Sequence, residues 1–221
     1  MKTITLNASV TASNDRDAQA LREKLNRRGV LLINVMSAAG SGKTTFLSRV
    51  ISDLPEVSIG VMEADIESDV DAKRIEALGA KAIQVHTSGM CHMDAGMTAA
   101  AVDAMEGETQ LLFLENVGNL ICPAEYDTGA QKKLMILSVP EGDDKPLKYP
   151  LMFRESDALV ITKIDALPFF TFDMEKCIER VKKLNPEIRI FPVSAKTGEG
   201  MEAVEAWMVE ALREVKSSRD S

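Results

Sequence analysis

Apolar residues along the chain gather in two ways. One is short and nearly continuous: VLLINVM (30–36), VSIGVM (57–62), KAIQVHT (81–87), QLLFLENV (110–117), KLMILSV (133–139), ALVITK (158–163) and IRIFPV (188–193). Runs of this length, apolar on successive positions, predict strands buried on both faces of a sheet. The other recurs at intervals of three and four and predicts helices over 44–53, 69–79, 93–106, 173–184 and 200–215. Ahead of the first run, NDRDAQALREKLNRRG opens on a capping residue and closes on Gly29, which predicts a further helix. Strands and helices alternate, so the expected fold is α/β: a single doubly wound, mainly parallel sheet with helices on both faces. Residues 1–29 are then an N-terminal helical extension packed on the domain, 30–216 the domain and 217–221 a tail. Ligands of such sheets sit at the carboxyl ends of the strands, so the residues closing each run deserve scrutiny first. The polar connection SVPEGDDKPLKYP (138–150) is expected to lie over one edge of that site.

Composition narrows the classes. A chain of 221 residues, 45% apolar, has material for one sizeable core. Its net charge of −8, with basic residues scattered, argues against a nucleic-acid partner. No run approaches the ~20 apolar residues of a membrane span, and the N-terminus lacks a signal-peptide block. A cytoplasmic protein with no membrane partner is expected. Three cysteines, Cys91, Cys122 and Cys177, are too few and too odd in number for a disulfide framework. As thiols they are available to metal.

SAAGSGKTT (37–45) follows the first run and opens a helix. Backbone N–H groups at such a turn point at phosphate oxygens. Gly40, Ser41, Gly42 and Thr45 would cradle the phosphates, Lys43 would reach the terminal ones, and Thr44 would offer its hydroxyl to Mg²⁺. Ser37, however, stands where the P-loop pattern has its first glycine. If that position needs positive φ, a side chain costs roughly 1–2 kcal/mol. If it is extended, Ser fits without strain. The sequence leaves both open.

Two further strand ends bear on the base. TKID (162–165) resembles the Asn/Thr-Lys-x-Asp slot of P-loop GTPases, with Asp165 accepting from N1–H and the exocyclic amine of guanine. Adenine presents an acceptor at N1, and a mispaired carboxylate is costly, so Asp165 disfavours an ATP-dependent kinase. Lys163 would lay its stem over the base, under a loop formed by Ser194, Ala195 and Lys196 of SAKTGEG. ENVGNLICP (115–123) resembles the Glu-x-x-Gly segment of dimerising, metallochaperone-related GTPases. There Glu115 would hold Mg²⁺ or its waters, and Gly118 would bring its N–H to the γ-phosphate. Asp65 is a further candidate Mg²⁺ ligand or organiser of the attacking water; with Asp69 and Asp71 it reads equally as a solvated helix cap.

SGMCHMDAG (88–96) brings Cys91 and His92 to the end of a strand, and Cys122 follows Gly118 by four residues. This soft set suits Zn²⁺, Ni²⁺ or Cu⁺, although three ligands leave a tetrahedral site incomplete. A buried Cys and an exposed His of no function would look the same. Cys177, within MEKCIERV, reads as core.

Taken in order, GSGKTT, CHMDAG, ENVGNLICP, TKIDALP, FDMEKCIERVKKLNPEI and SAKTGEGM resemble the hydrogenase nickel-incorporation GTPase family (HypB), from about Val30 to Trp207. The resemblance implies a slow GTPase that binds GTP/GDP with Mg²⁺ and forms a homodimer when GTP binds. It implies that Cys91, His92 and Cys122 hold Ni²⁺ or Zn²⁺ for a nickel-binding maturation partner and the hydrogenase large subunit. The chain lacks the N-terminal cysteine motif or histidine tract of some members. Lys148 is a candidate to reach a nucleotide across the dimer, and LPFFTF (167–172) is either a contact surface or a loop packed on its own domain. The competing reading is a non-catalytic metal-binding protein with a degenerate nucleotide site, supported by Ser37 and the incomplete ligand set.

Overall fold

The computed structural model describes residues 7–65, 70–87, 89–105 and 107–219, and of residues 7–11, 65 and 70–73 the backbone alone. All seven apolar runs are strands: β1 (Leu31–Ser37), β2 (Ile59–Asp65), β3 (Lys81–His86), β4 (Leu111–Glu115), β5 (Lys132–Ser138), β6 (Ala158–Thr162) and β7 (Arg189–Pro192). They form one sheet of order β3-β2-β4-β1-β5-β6-β7. Every neighbouring pair is parallel, which sharpens the "mainly parallel" of the sequence reading. Every residue of β1, β4 and β6 is buried, as continuous apolar runs require, whereas the edge strand β3 is half-buried and ends on exposed His86.

The helices are α1 (Asn7–Arg28), α2 (Lys43–Asp53), α3 (Val70–Ala77), α4 (Ala95–Ala104), α5 (Cys122–Glu125), α6 (Lys145–Lys148), α7 (Pro150–Arg154), α8 (Met174–Leu184) and α9 (Met201–Arg219). Alternation along β1 divides the core. Leu31, Ile33 and Val35 pack with Phe46 and Trp207 beneath α2 and α9. On the other face Leu32 joins Leu25 and Val102 of α1 and α4, while Met36 joins Phe153 and Val181 of α7 and α8. Cys177 belongs to this last group, fully buried, so it is core as expected. In α8, Asp173 accepts from Lys176 N at 3.0 Å, and Cys177 and Val181 fall on the buried face at i and i+4.

Three expectations change. Helix α1 already includes Asn7, so Asn14 lies within it and is not its cap. The Asn14 side chain instead accepts from Ala95 N and donates to Asp127 O, both at 2.9 Å, so its polar groups serve other segments. Helix α9 runs to Arg219, so residues 217–219 are helical rather than part of a tail. Residues 138–150 fold into a turn and the short helix α6, fastened to α8 by Asp143, which accepts from Arg180 at 2.5 Å and from Asp173 N at 2.8 Å.

The chain runs from β1 towards β2 on one side and later fills β5 to β7 on the other. The carboxyl end of β1 is therefore the point where strand order reverses and a crevice opens.

Candidate functional site

A cavity of about 490 Å³ occupies that crevice, walled by Ala39–Gly40 and Gly42–Thr45 of the loop after β1, Glu63 and Ala64 of β2, Arg74, Glu115, Asn116, Gly118 and Lys163. None of residues 138–150 lines it, contrary to the expectation that this connection covers its edge. Gly40 and Gly42 have φ of 74° and 96°, the left-handed region that a side chain strains to enter. Ser37 does not share it: it is the last residue of β1, extended and fully buried. Its hydroxyl donates to Ala38 O at 2.9 Å and accepts from the Ser41 hydroxyl at 2.8 Å. The departure from the glycine pattern therefore costs no backbone strain.

Gly42 precedes α2 without any side chain capping the helix. The N–H groups of the first turn, which no carbonyl within the helix can accept, open on the cavity beside Lys43. The Thr44 hydroxyl donates to Glu115 Oε1 at 3.3 Å, so the two candidate Mg²⁺ ligands are already together. A hydroxyl and a carboxylate suit that hard cation. Glu63 is 3% exposed and pairs in register with Glu115 across β2 and β4. It is a wall residue that sequence reasoning missed, because a single acid in an apolar run carries no periodic signal. Asp65 closes β2, in register with His86; its side chain, like that of Asp71, and all of Asp69 lie outside the described atoms. Gly118 is needed for space rather than for φ. A Cβ there would stand 3.0 Å from Cα and N of Ala39, backbone of the phosphate loop.

The candidate base-recognition residues assemble around Lys163, a wall residue of this cavity. Lys163 adopts φ 61°, the single positive φ among described non-glycine residues, and donates from Nζ to Gly40 O at 2.9 Å. Its stem passes Gly42, with Cε 3.5 Å from where a Cβ would be. Asp165 accepts from the Ser194 hydroxyl at 2.7 Å, and Ile164 N donates to Val193 O, so the TKID and SAKTGEG segments are joined directly. Ala195 and Lys196 lie in the loop that Ser194 closes by accepting at its hydroxyl from Thr197 N at 3.2 Å. Asp165, Ser194, Ala195 and Lys196 are not wall residues of the cavity, whereas Lys163, two positions before Asp165, is.

The thiol set is brought together from two loops. Cys91 Sγ contacts Cys122 Sγ at 2.9 Å and His92 Nδ1 at 3.7 Å, and candidate ligand atoms of all three residues lie within 4.8 Å of one another. Cys91 is exposed and His92 buried, the reverse of the functionless alternative. His92 stacks on Tyr126 with ring centroids 3.8 Å apart. Burial lowers the imidazole pKa against the opposing pull of Asp94 and Glu125, which favours the neutral form that ligates metal. The hydrogen bond with Cys91, and then burial, raises the Cys122 pKa.

Comparison with known proteins agrees with this geometry. Residues 31–192 match the family model described as CobW/HypB/UreG, nucleotide-binding domain. The chain is 44% identical to the hydrogenase maturation factor HypB of Rhizobium leguminosarum bv. viciae over 98% of its own length and 73% of that protein's. The belonging is plain. This chain is a member of the HypB hydrogenase maturation family of P-loop GTPases. Two HypB crystal structures, from Helicobacter pylori in complex with nickel and from Archaeoglobus fulgidus, superpose with TM-scores of 0.87 and 0.86. Each is 38% identical, covering 91% of this chain and 96% and 99% of theirs. The signal recognition particle receptor FtsY of Elizabethkingia anophelis, at 13% identity and a TM-score of 0.52, covers 96% of this chain and 75% of its own, and shares the fold alone. Among the described residues no helix is long and apolar enough to cross a membrane.

Proposed function

We propose that this HypB-family GTPase binds GTP with Mg²⁺, hydrolyses it slowly, and uses a nucleotide-dependent homodimer as a switch that loads and releases nickel for [NiFe] hydrogenase. One observation carries the reading: three soft donors converge within 4.8 Å, and one of them, Cys122, follows by four residues the Gly118 that abuts the phosphate loop. A shift of the 115–118 segment on GTP binding therefore reaches a metal ligand through a few covalent bonds.

In this reading Lys43 and the first-turn N–H groups of α2 bind the phosphates, and Gly118 offers its N–H to the γ-phosphate. Asp165 selects guanine beneath the Ser194–Lys196 loop. Thr44 and Glu115, with Asp65, would hold Mg²⁺, which neutralises charge on the phosphates. Water attacks the γ-phosphorus, the bond to the β–γ bridging oxygen breaks, and GDP and phosphate leave. Thiolate and imidazole suit Ni²⁺ or Zn²⁺. Three ligands per chain leave a four-coordinate site one short, and a two-fold dimer supplies the remainder from the other copy. Exposed Leu147 (64%) and Leu151 flank Lys148, and Phe169 is 83% exposed, so apolar surface for such contacts exists. Lys148 is ion-paired with Asp144 at 2.5 Å and would exchange that partner to reach a nucleotide across the interface. The Helicobacter pylori relative solved in complex with nickel supports the cargo, and the maturation-factor relatives support hydrogenase as its destination; a nickel-binding maturation partner and the hydrogenase large subunit, met in the cytoplasm, complete the proposal.

The rival, a metal binder with a degenerate nucleotide site, drew on Ser37, and an unstrained Ser37 removes that support. The deciding experiment is nickel affinity, by competition with a chromogenic chelator, for nucleotide-free, GDP-bound and non-hydrolysable-GTP-bound protein, with Cys122→Ala alongside. An affinity that varies with nucleotide and loses that variation in Cys122→Ala is expected. Equal affinity in all three states would refute the switch.

A further inference from the structure

Glu115 and Asn116 are consecutive residues of an extended segment, and their side chains leave the backbone on opposite faces. Pairing with β1 continues one residue past β4, since Asn116 N donates to Val35 O at 3.0 Å. On one face Glu115 meets Thr44 of the phosphate loop. On the other, the Asn116 carboxamide, 1% exposed, reaches the loop that carries the metal donors. Its Oδ1 accepts from Met93 N at 3.2 Å and from Val117 N at 2.9 Å, and its Nδ2 donates to Asn34 Oδ1 at 3.1 Å. Two backbone N–H groups converging on one oxygen fix which way the amide points. Met93 is the residue after His92.

The other ties around the thiols have a different reach. Asn14 bridges Ala95 N and Asp127 O, and His92 stacks on Tyr126. These fasten the two metal loops to each other and to α1. Asn116 alone among them belongs to the cavity wall. Beneath it, Asn34 is fully buried and its Nδ2 has no hydrogen-bond partner among the described residues. The Asn34 carboxamide thus keeps donor capacity in reserve, which leaves the pair room to re-pair when the 115–118 segment moves.

We infer that Asn116 is the positioning residue through which nucleotide state reaches the Cys91–His92 loop. The inference rests on the nucleotide-coupled reading above and names the residue that carries it. Cys122 follows the 115–118 segment through the chain itself. Cys91 and His92 stand on a different strand end and need a non-covalent link, which the Asn116–Met93 hydrogen bond supplies. With it, the Cys91–His92 loop is tied directly to the cavity wall; without it, that loop keeps only its contacts with Cys122 and Tyr126, neither of which lines the cavity.

Peptide-resolved alkylation of the metal-free, full-length chain tests this, at saturating GDP and at saturating non-hydrolysable GTP. In wild type, the labelling rates of Cys91 and Cys122 are each expected to differ at least threefold between the nucleotides. In Asn116→Ala the Cys122 difference should persist while that of Cys91 falls below 1.5-fold. Asn116→Asp keeps an acceptor for Met93 N and should restore the Cys91 response. A Cys91 response that survives in Asn116→Ala, or a joint loss of both responses there, would overturn the inference while leaving the switch standing. No response of either thiol in wild type would instead refute the switch itself. Should Asn116→Ala fail to fold, hydrogen exchange at the Met93 amide of wild type serves in its place. Protection that differs between the two nucleotides is expected, and identical protection overturns the link.

Discussion

Restoring the glycine that the phosphate-loop pattern asks for at position 37 is expected to weaken this protein. Ser37 is extended within β1, so Ser37→Gly relieves no strain. It deletes the acceptor of the Ser41 hydroxyl, and both serines are fully buried. A lost hydrogen bond costs about 1 kcal/mol, and more where the remaining hydroxyl stays buried without a partner. Glycine in a strand interior adds roughly 0.5–1 kcal/mol through the entropy of the unfolded chain. Together these give a loss of about 2 kcal/mol, which for a domain of this size lowers Tm by roughly 4–8 °C. Urea melts of the nucleotide-free protein with thermal scans would measure it. GDP affinity should stay within about threefold of wild type, because a factor of three is well under 1 kcal/mol and Gly40 and Gly42 shape the turn nearest the phosphates. A variant as stable as wild type, or one binding GDP tenfold more tightly, would refute the argument, since either requires Ser37 to be strained.

Three further outcomes follow from the same structure. Gly118→Ala places a Cβ 3.0 Å from Ala39 backbone atoms, which cannot rotate aside. Overpacking of that kind costs about 1–3 kcal/mol, so titration with a fluorescent GTP analogue should show binding weakened about tenfold; unchanged affinity would count against the close approach. Native alkylation should label Cys91 and Cys122, with Ni²⁺ protecting both. Cys177, fully buried and with its pKa pushed up to about 12 by burial, should react only after unfolding; labelling of the folded protein at Cys177 would contradict its place in the core. Glu205 has its pKa raised to about 7, mainly by burial and then by Asp53. The folded state then binds the proton more tightly than the unfolded one, so stability falls as pH rises between about 4.5 and 7. Glu205→Gln should flatten that slope and gain about 1 kcal/mol at pH 8, a value discounted because the side chain is only half-buried; parallel slopes in the two proteins would exclude Glu205 as the cause.

How far the site could be read from the chain depends on which signals are local. The seven strands were legible because a buried parallel strand writes itself as a continuous apolar run, and the phosphate turn because its glycines and Lys43 are consecutive. Asn34, Glu63 and Asn116 were not, because a polar residue within or beside an apolar run has no period, and its use depends on pairing across the sheet. Glu63 enters the cavity wall only through its register with Glu115, 52 positions away, and Asn34 meets Asn116 across 82. Asn14 misled for a related reason: an amide that looks like a helix cap serves two distant backbone groups equally well. Ser37 shows how narrow the margin is. The apolar run stops at Met36, but β1 continues to Ser37, and that single residue decides between a strained turn and an extended strand end. In the strand, the hydroxyl becomes an acceptor for Ser41 and ties the phosphate loop back to its own strand. A serine there therefore closes the loop through its side chain, a bond that glycine at the same position could not make.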